Sequence, residues 1–119
     1  MTNETQQATC GQETKGAPTQ LDALIIGAGV AGLYQLHRLR QMGMKVRAFE
    51  TGSGVGGTWY WNRYPGARFD SQAEIYQYWF SEELYKSWQP SERFPAQPET
   101  ERWLNYVADT LDLKKDIQF

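Results

Sequence analysis

Leu24-Ile25-Ile26-Gly27-Ala28-Gly29-Val30-Ala31-Gly32 decides the fold of this 119-residue chain. Ala23 to Ile26 is a short, unbroken apolar run, the pattern of a strand covered on both faces in a parallel sheet. A GxGxxG turn follows it at once. Gly27 permits the tight turn off the strand, Gly29 lets the backbone approach a pyrophosphate, and Gly32 lets helix and strand close on each other. The helix opening there offers free N–H groups and a positive dipole end to phosphate, with Val30 and Ala31 supplying its first backbone units. The spacing predicts a helix to about Met42, with Gly32, Leu36, Leu39 and Gly43 sharing one face. Gly43 is placed to end it. Lys45 to Glu50 reads as a second strand, in which Val46 and Ala48 alternate with Lys45 and Arg47. Leu21 to Glu50 is therefore a βαβ unit with a right-handed crossover.

Glu50 ends the second strand, where a carboxylate can accept both hydroxyls of a ribose. It would repel a 2′-phosphate, so the turn suits FAD or NAD and not NADP. The plain alternatives are a glycine turn with no ligand and a solvated strand-end acid. Strand, turn, amphipathic helix and acid in this order weigh against both. The fold class is α/β: the N-terminal part of a doubly wound, Rossmann-like domain with an incomplete sheet. Such a sheet uses about five or six strands, and the sequence offers two and the beginning of a third. The chain is therefore expected to be a truncated piece of a larger enzyme.

Composition excludes several classes of partner. A net charge of −2 gives no basic excess, so nucleic acid and anionic membrane surfaces are poor partners. No apolar run reaches the length of a membrane span, and the N-terminus lacks the pattern of a secretory signal. Cys10 is the single cysteine, which rules out an internal disulfide and fits a reducing cytoplasm. His37 is also alone, so no metal site is expected, and a solvated helix face is its expected home. Residues 1–20, rich in Thr, Gln and Gly, read as a disordered leader, and 21–119 as the domain portion.

After Glu50 the alternation breaks. Gly52, Gly54, Gly56 and Gly57 mark a loop, and Tyr64-Pro65-Gly66 a further turn. All five Trp and most of the seven Tyr follow Gly57, a content suited to heavy packing or to covering a flat ligand. Glu74 to Trp88 is expected to be helical, Ser91 to Pro98 a connector, and Glu99 to Leu113 a second helix. In that helix Leu104, Val107, Ala108 and Leu111 form the buried stripe, and Lys114 and Lys115 suit its negative end. Asp116 to Phe119 begins a strand.

The order GxGxxG, acid, then Gly56-Gly57-Thr58-Trp59 resembles the FAD domain of two-dinucleotide flavoproteins. The longer string from Trp59 to Asp70, WYWNRYPGARFD, resembles the type I Baeyer–Villiger monooxygenases nearly word for word. The likeness continues through FSEEL (80–84), QPE (97–99), VAD (107–109) and the closing DLKKDIQF, so it covers about Leu21 to Phe119. The resemblance implies an oxidoreductase that uses FAD and NADPH to insert one oxygen atom of O₂ into a ketone, giving an ester or lactone. By matching positions it implies that Gly27, Gly29 and Gly32 hold the FAD pyrophosphate and Glu50 the adenosine ribose. Gly57, Thr58, Trp59, Tyr60 and Trp61 would line the FAD site, and Tyr76 would touch the flavin. It implies a catalytic role for Asp70, at the flavin, orienting the family's arginine. Arg68 and Phe69 would lie beside the nicotinamide cofactor.

A buried carboxylate beside an arginine stays ionised and can fix the guanidinium near developing negative charge. A turn residue after Pro-Gly is the plain alternative for Asp70, and core packing the alternative for Trp59 to Trp61. Phe69 stands where the family often has a small residue, and Ser71-Gln72-Ala73 replaces a more acidic stretch. The family's second GxGxxG, its FxGxxxHxxxW string and its arginine are expected beyond Phe119, so these residues alone should not turn over a ketone. Two other readings stand beside this one: an N-hydroxylating or heteroatom-oxidising flavin monooxygenase, and a non-catalytic dinucleotide-binding module.

Overall fold

A computed structural model describes residues 20–119. The expected leader, apart from Gln20, and Cys10 within it lie outside the described residues. Strand β1 (Ala23–Ile26), helix α1 (Val30–Gln41) and strand β2 (Val46–Phe49) form the βαβ unit. β1 and β2 pair in parallel, Ala23 opposite Val46 through Ile26 opposite Phe49. Strand β3 (Ile117–Gln118) pairs in parallel with β2, Ala48 opposite Ile117, giving the order β1-β2-β3. Parallel neighbours need a crossover between them. α1 supplies the first, and everything from Glu50 to Asp116 supplies the second.

The core lies on one face of this sheet. Ile25, Val46, Ala48 and Ile117 join Leu33 and Leu36 of α1 and Leu104, Val107 and Ala108 of helix α4 (Gln97–Thr110) in one buried cluster. The apolar run Ala23 to Ile26 pointed to a strand covered on both faces; only one is covered among the described residues. Leu24 is 55% and Ile26 81% exposed. Alternation along the strand sends Ile25 inward and its two neighbours to the opposite face, over which no described element packs. In α1 the stripe is broader than expected, because fully buried Leu33 joins Leu36 while Leu39 is half-buried. Gly43 ends the helix at φ 80°, its N–H donating to the Arg40 carbonyl.

The expected helix over Glu74 to Trp88 is instead a 3₁₀ turn (Ala73–Tyr76) and a short helix α3 (Glu82–Ser87). Ser81 starts α3 afresh, its hydroxyl accepting the Leu84 N–H. Buried Gln77 holds the return, donating its side-chain amide to the Tyr85 and Trp88 carbonyls. The aromatic residues between pack on α1: Tyr78 donates its hydroxyl to the Val30 carbonyl at 2.7 Å, and Phe80 stacks on His37 with centroids 4.8 Å apart. His37 is thus half-buried rather than on a solvated face.

α4 begins at Gln97, two residues before the expected start, with Pro98 inside its first turn. Thr100 and Trp103 join its buried stripe. Past its end Asp112 takes a left-handed backbone, φ 51°, and the chain turns back so that Leu113 donates to the Ala108 carbonyl and is fully buried. Lys114 and Lys115 therefore sit beyond the helix rather than at its dipole end. They pair with Asp109 (2.8 Å) and with Asp112.

Candidate dinucleotide site

Two glycine turns meet at the carboxyl ends of β1 and β2. Gly27 leaves β1 at φ 94° and donates its N–H to the Phe49 carbonyl at 2.8 Å, locking the turn to β2. A Cβ on Gly32 would stand 2.1 Å from the Gly27 carbonyl oxygen, so helix and strand approach more closely than any side chain allows. The second turn reaches the first from the side. Gly56 donates to the Ala28 carbonyl at 3.0 Å, and a Cβ on Gly57, at φ 55°, would lie 2.9 Å from the Gly29 Cα. Gly57 then opens helix α2 (Thr58–Trp61), a single turn.

Glu50 ties these parts together. One carboxylate oxygen accepts the Ala28 N–H at 2.8 Å; the other accepts the Gly52 N–H at 2.8 Å and the Thr51 hydroxyl at 3.3 Å. Its own N–H donates to Gln118 of β3 at 2.9 Å. The residue is 9% exposed. That burial alone would push its carboxyl up, but the backbone N–H groups of Gly52 and Ala28 outweigh it and hold the group below its ordinary value. A carboxylate offers about four acceptor positions. Three are taken by protein donors, which leaves capacity for one hydroxyl rather than the expected two.

A cavity of about 410 Å³ opens between the two turns, lined by Ile26, Gly27, Gly29, Val30, Ala31, Gly56, Thr58, Trp59 and Tyr76. Gly29 caps α1 without a side chain and the Leu33 N–H donates the first helical bond to the Gly29 carbonyl, so the N–H groups before it face outward from the helix end. Trp59 is buried, edge-on to Phe69 (5.4 Å) and Tyr76 (6.1 Å), while Phe69 and Tyr76 stack at 4.1 Å. Gly27, Gly29, Val30, Ala31, Thr58, Trp59 and Tyr76, all singled out from sequence, come together around this one cavity. Gly56 entered the sequence reading only as part of the Gly56-Gly57-Thr58-Trp59 motif, and Ile26 was not singled out; its signal was adjacency, since it directly precedes Gly27.

The other candidates lie outside the cavity lining. Gly32 is the helix–strand contact, and Gly57 the contact between turns. Tyr60 covers the loop that follows Glu50: its hydroxyl meets the Ser53 hydroxyl (2.8 Å) and N–H (3.1 Å), bonds that draw the phenol below its usual range. A Cβ on Gly52 would lie 2.6 Å from the Tyr60 ring. Trp61 is 59% exposed. Arg68 donates to the Glu92 carboxylate and the Phe94 carbonyl, both at 2.9 Å. Asp70 is exposed, which corrects the expectation of a buried carboxylate. The segment runs extended, with Arg68 bridged to Ala96, so alternation turns Ala67 and Phe69 inward and Arg68 and Asp70 outward.

Comparison with known proteins agrees with this geometry. Residues 25–89 match the family model of the NAD(P)-binding Rossmann-like domain. The chain is 71% identical over 99 residues to the acetone monooxygenase (methyl acetate-forming) of Gordonia sp., covering 83% of this chain and 19% of that protein. It is 52% identical over 101 residues to a phenazine N-monooxygenase of Lysobacter antibioticus (84% and 19% covered). Identity to a Baeyer–Villiger monooxygenase of Pseudooceanicola batsensis is 44% over 109 residues (91% and 20% covered). Among solved structures, an oxidized steroid monooxygenase bound to NADP superposes with a TM-score of 0.83 at 54% identity, over 85% of this chain and 19% of that one. OTEMO in complex with FAD and NADP gives 0.77 at 48% identity, over 83% and 19%. The chain thus spans about a fifth of the length of the relatives it matches. It belongs to the NAD(P)-binding Rossmann-like domain family and is a relative of the Baeyer–Villiger monooxygenases over that fifth.

Proposed function

We propose that this chain is the FAD-docking segment of an NADPH-dependent monooxygenase that inserts one oxygen atom of O₂ into a ketone. The observation that carries the reading is the cavity between the two glycine turns, with phosphate-ready N–H groups on one side and Trp59 and Tyr76 on the other. Gly27, Gly29, Val30 and Ala31 would hold the pyrophosphate, and the remaining acceptor position of Glu50 a ribose hydroxyl. Glu50 also selects the cofactor. A 2′-phosphate would meet an ionised carboxylate held below its ordinary value, which favours FAD here and calls for a second site to hold NADPH. FAD, when bound and reduced, supplies the oxygen-activating chemistry. Thr58 and Trp59 would wall it from water, and Gly57, Tyr60 and Trp61 would support that wall. Exposed Asp70, with Arg68 beside it, would face the nicotinamide side, where the Asp70 carboxylate would orient an arginine supplied from elsewhere in the enzyme. Phe69, turned inward against Trp59 and Tyr76, would back the cofactor wall instead. The names of the relatives support a ketone as substrate, and a cytoplasmic setting fits the single cysteine.

The test uses the full enzyme that carries this segment. Heat release of its flavin should yield FAD, and incubation with NADPH, O₂ and a ketone should yield an ester or lactone one oxygen heavier. Absence of flavin sinks the reading. The phenazine N-monooxygenase relative supports a second reading: an N-oxide from a nitrogen heteroaromatic such as phenazine, with no ester from ketones, would select heteroatom oxidation instead.

A further inference from the structure

Helix α2 carries Thr58 and Trp59 into the cavity wall, yet a single turn cannot hold itself: its last carbonyls have no helical partners. Side chains from two other places satisfy them. Gln97, 5% exposed in the first turn of α4, donates its side-chain amide to the Trp59 carbonyl and to the Glu101 carboxylate, the latter at 2.8 Å. Arg63 donates to the Tyr60 carbonyl and to Glu101, both at 2.7 Å, and its guanidinium lies 4.9 Å from the Tyr60 ring centroid. The backbone N–H of Gln97 also donates to the Ala67 carbonyl at 2.9 Å. One buried residue, through its side-chain amide and its backbone N–H, thus joins α2, the segment before Asp70, and the ion pair Arg63–Glu101.

We propose that Gln97 is a positioning residue for the cofactor wall, with Glu101 and Arg63 as its support: it sets where Trp59 stands by capping a carbonyl that the short helix leaves open. The proposal rests on the FAD reading above for its ligand, and on the hydrogen bonds alone for its geometry. An amide is needed at this position because it must donate to a carbonyl and a carboxylate together. Glutamate offers no donor, and its charge would face Glu101. Methionine fills the volume and bonds to neither.

The experiment compares Gln97→Glu and Gln97→Met with the unaltered full enzyme, stripped of flavin and titrated with FAD by flavin fluorescence. Both variants should bind FAD roughly tenfold more weakly. A second readout needs no flavin: the indole N–H resonance of Trp59, assigned by Trp59→Phe, should shift in both variants, while that of Trp79, bonded to the Glu74 carbonyl away from α2, stays in place. Adding Glu101→Gln to Gln97→Glu removes the charge conflict and restores any loss due only to repulsion, but not the Trp59 bond, so FAD should still bind weakly. Unchanged affinity together with an unmoved Trp59 resonance in either folded variant overturns the proposal. If the unaltered enzyme takes no FAD but the Trp59 resonance moves, the cofactor reading fails while the positioning role stands.

Discussion

Replacing Glu50 by Gln preserves volume and hydrogen-bonding reach, but its amide group must point at the Ala28 or the Gly52 N–H, donor against donor. FAD affinity of the full enzyme should fall by at least about tenfold, read by flavin fluorescence, because each misdirected backbone donor costs about 1–3 kcal/mol. The same carboxylate gives a pH signature. Its native value lies below the ordinary 4.5, so its stabilisation is fully present above that pH and is lost as pH falls through the native value. His37 has the opposite chemistry and a loss in the same direction. Burial against Phe80, then Arg40 and Arg38, lowers it from 6.5, so the native state prefers the neutral ring. Its contribution is complete above pH 6.5 and fades as pH falls through its native value. His37→Gln should flatten the dependence of melting temperature on pH just below 6.5, measured by circular dichroism. Gly32→Ala has no room at all. A methyl 2.1 Å from the Gly27 oxygen forces strand and helix apart, and a loss of about 4 kcal/mol or more is expected by urea titration.

At the scale of elements, the legibility of the sequence divides at Glu50. β1, α1 and β2 were readable because the periodic pattern, the glycines and the acid all specify the same local conformations. The second half follows no period. Whether Glu74 to Trp88 became one helix was decided by Ser81 capping a new turn and by Gln77 bonding two distant carbonyls, neither of which leaves a spacing signal. The wall of the cavity was legible as a motif, its support was not: Gln97 reads as an ordinary polar residue before a proline. Asp70 was expected to be a buried carboxylate beside an arginine, and only the extended backbone, which turns Ala67 and Phe69 inward, shows that it faces the other way. Glu99 is a further case of unseen support. Its carboxylate accepts the Ser91 N–H at 2.9 Å, the Ser91 hydroxyl and the Trp88 indole N–H at 3.2 Å, tying the connector to α4. Glu99→Leu should cost about 2 kcal/mol, lower the melting temperature by roughly 10 °C, and open the connector at residues 89–95 to proteolysis.

At the scale of the molecule, the sheet has, among the described residues, one finished face and one open one. Leu24 and Ile26 present apolar surface at the edge strand, where β1 has β2 on one side and no described strand on the other. Such an edge invites association. The 119-residue chain by itself should bind anilinonaphthalene sulfonate and self-associate, and Leu24→Thr with Ile26→Thr should suppress both without lowering its melting temperature, as seen by dye fluorescence and light scattering. An unchanged dye signal would show that this face is not the exposed apolar surface.

The short strand β3 has a consequence in time as well as in space. Pairing Ala48 with Ile117 closes a loop about three times as long as pairing Ala23 with Val46, at an added entropic cost of about 1 kcal/mol. The βαβ unit therefore assembles early, from local contacts, and β3 arrives late. Glu50 belongs to both events, its carboxylate held by the first glycine turn and its N–H by Gln118. On a ribosome, the acid that would meet the ribose has its side chain oriented while its backbone still waits for residues some seventy positions downstream. Slowing synthesis across 111–119 should leave the phosphate turn formed and protected from exchange, with the Glu50 amide among the last to become so.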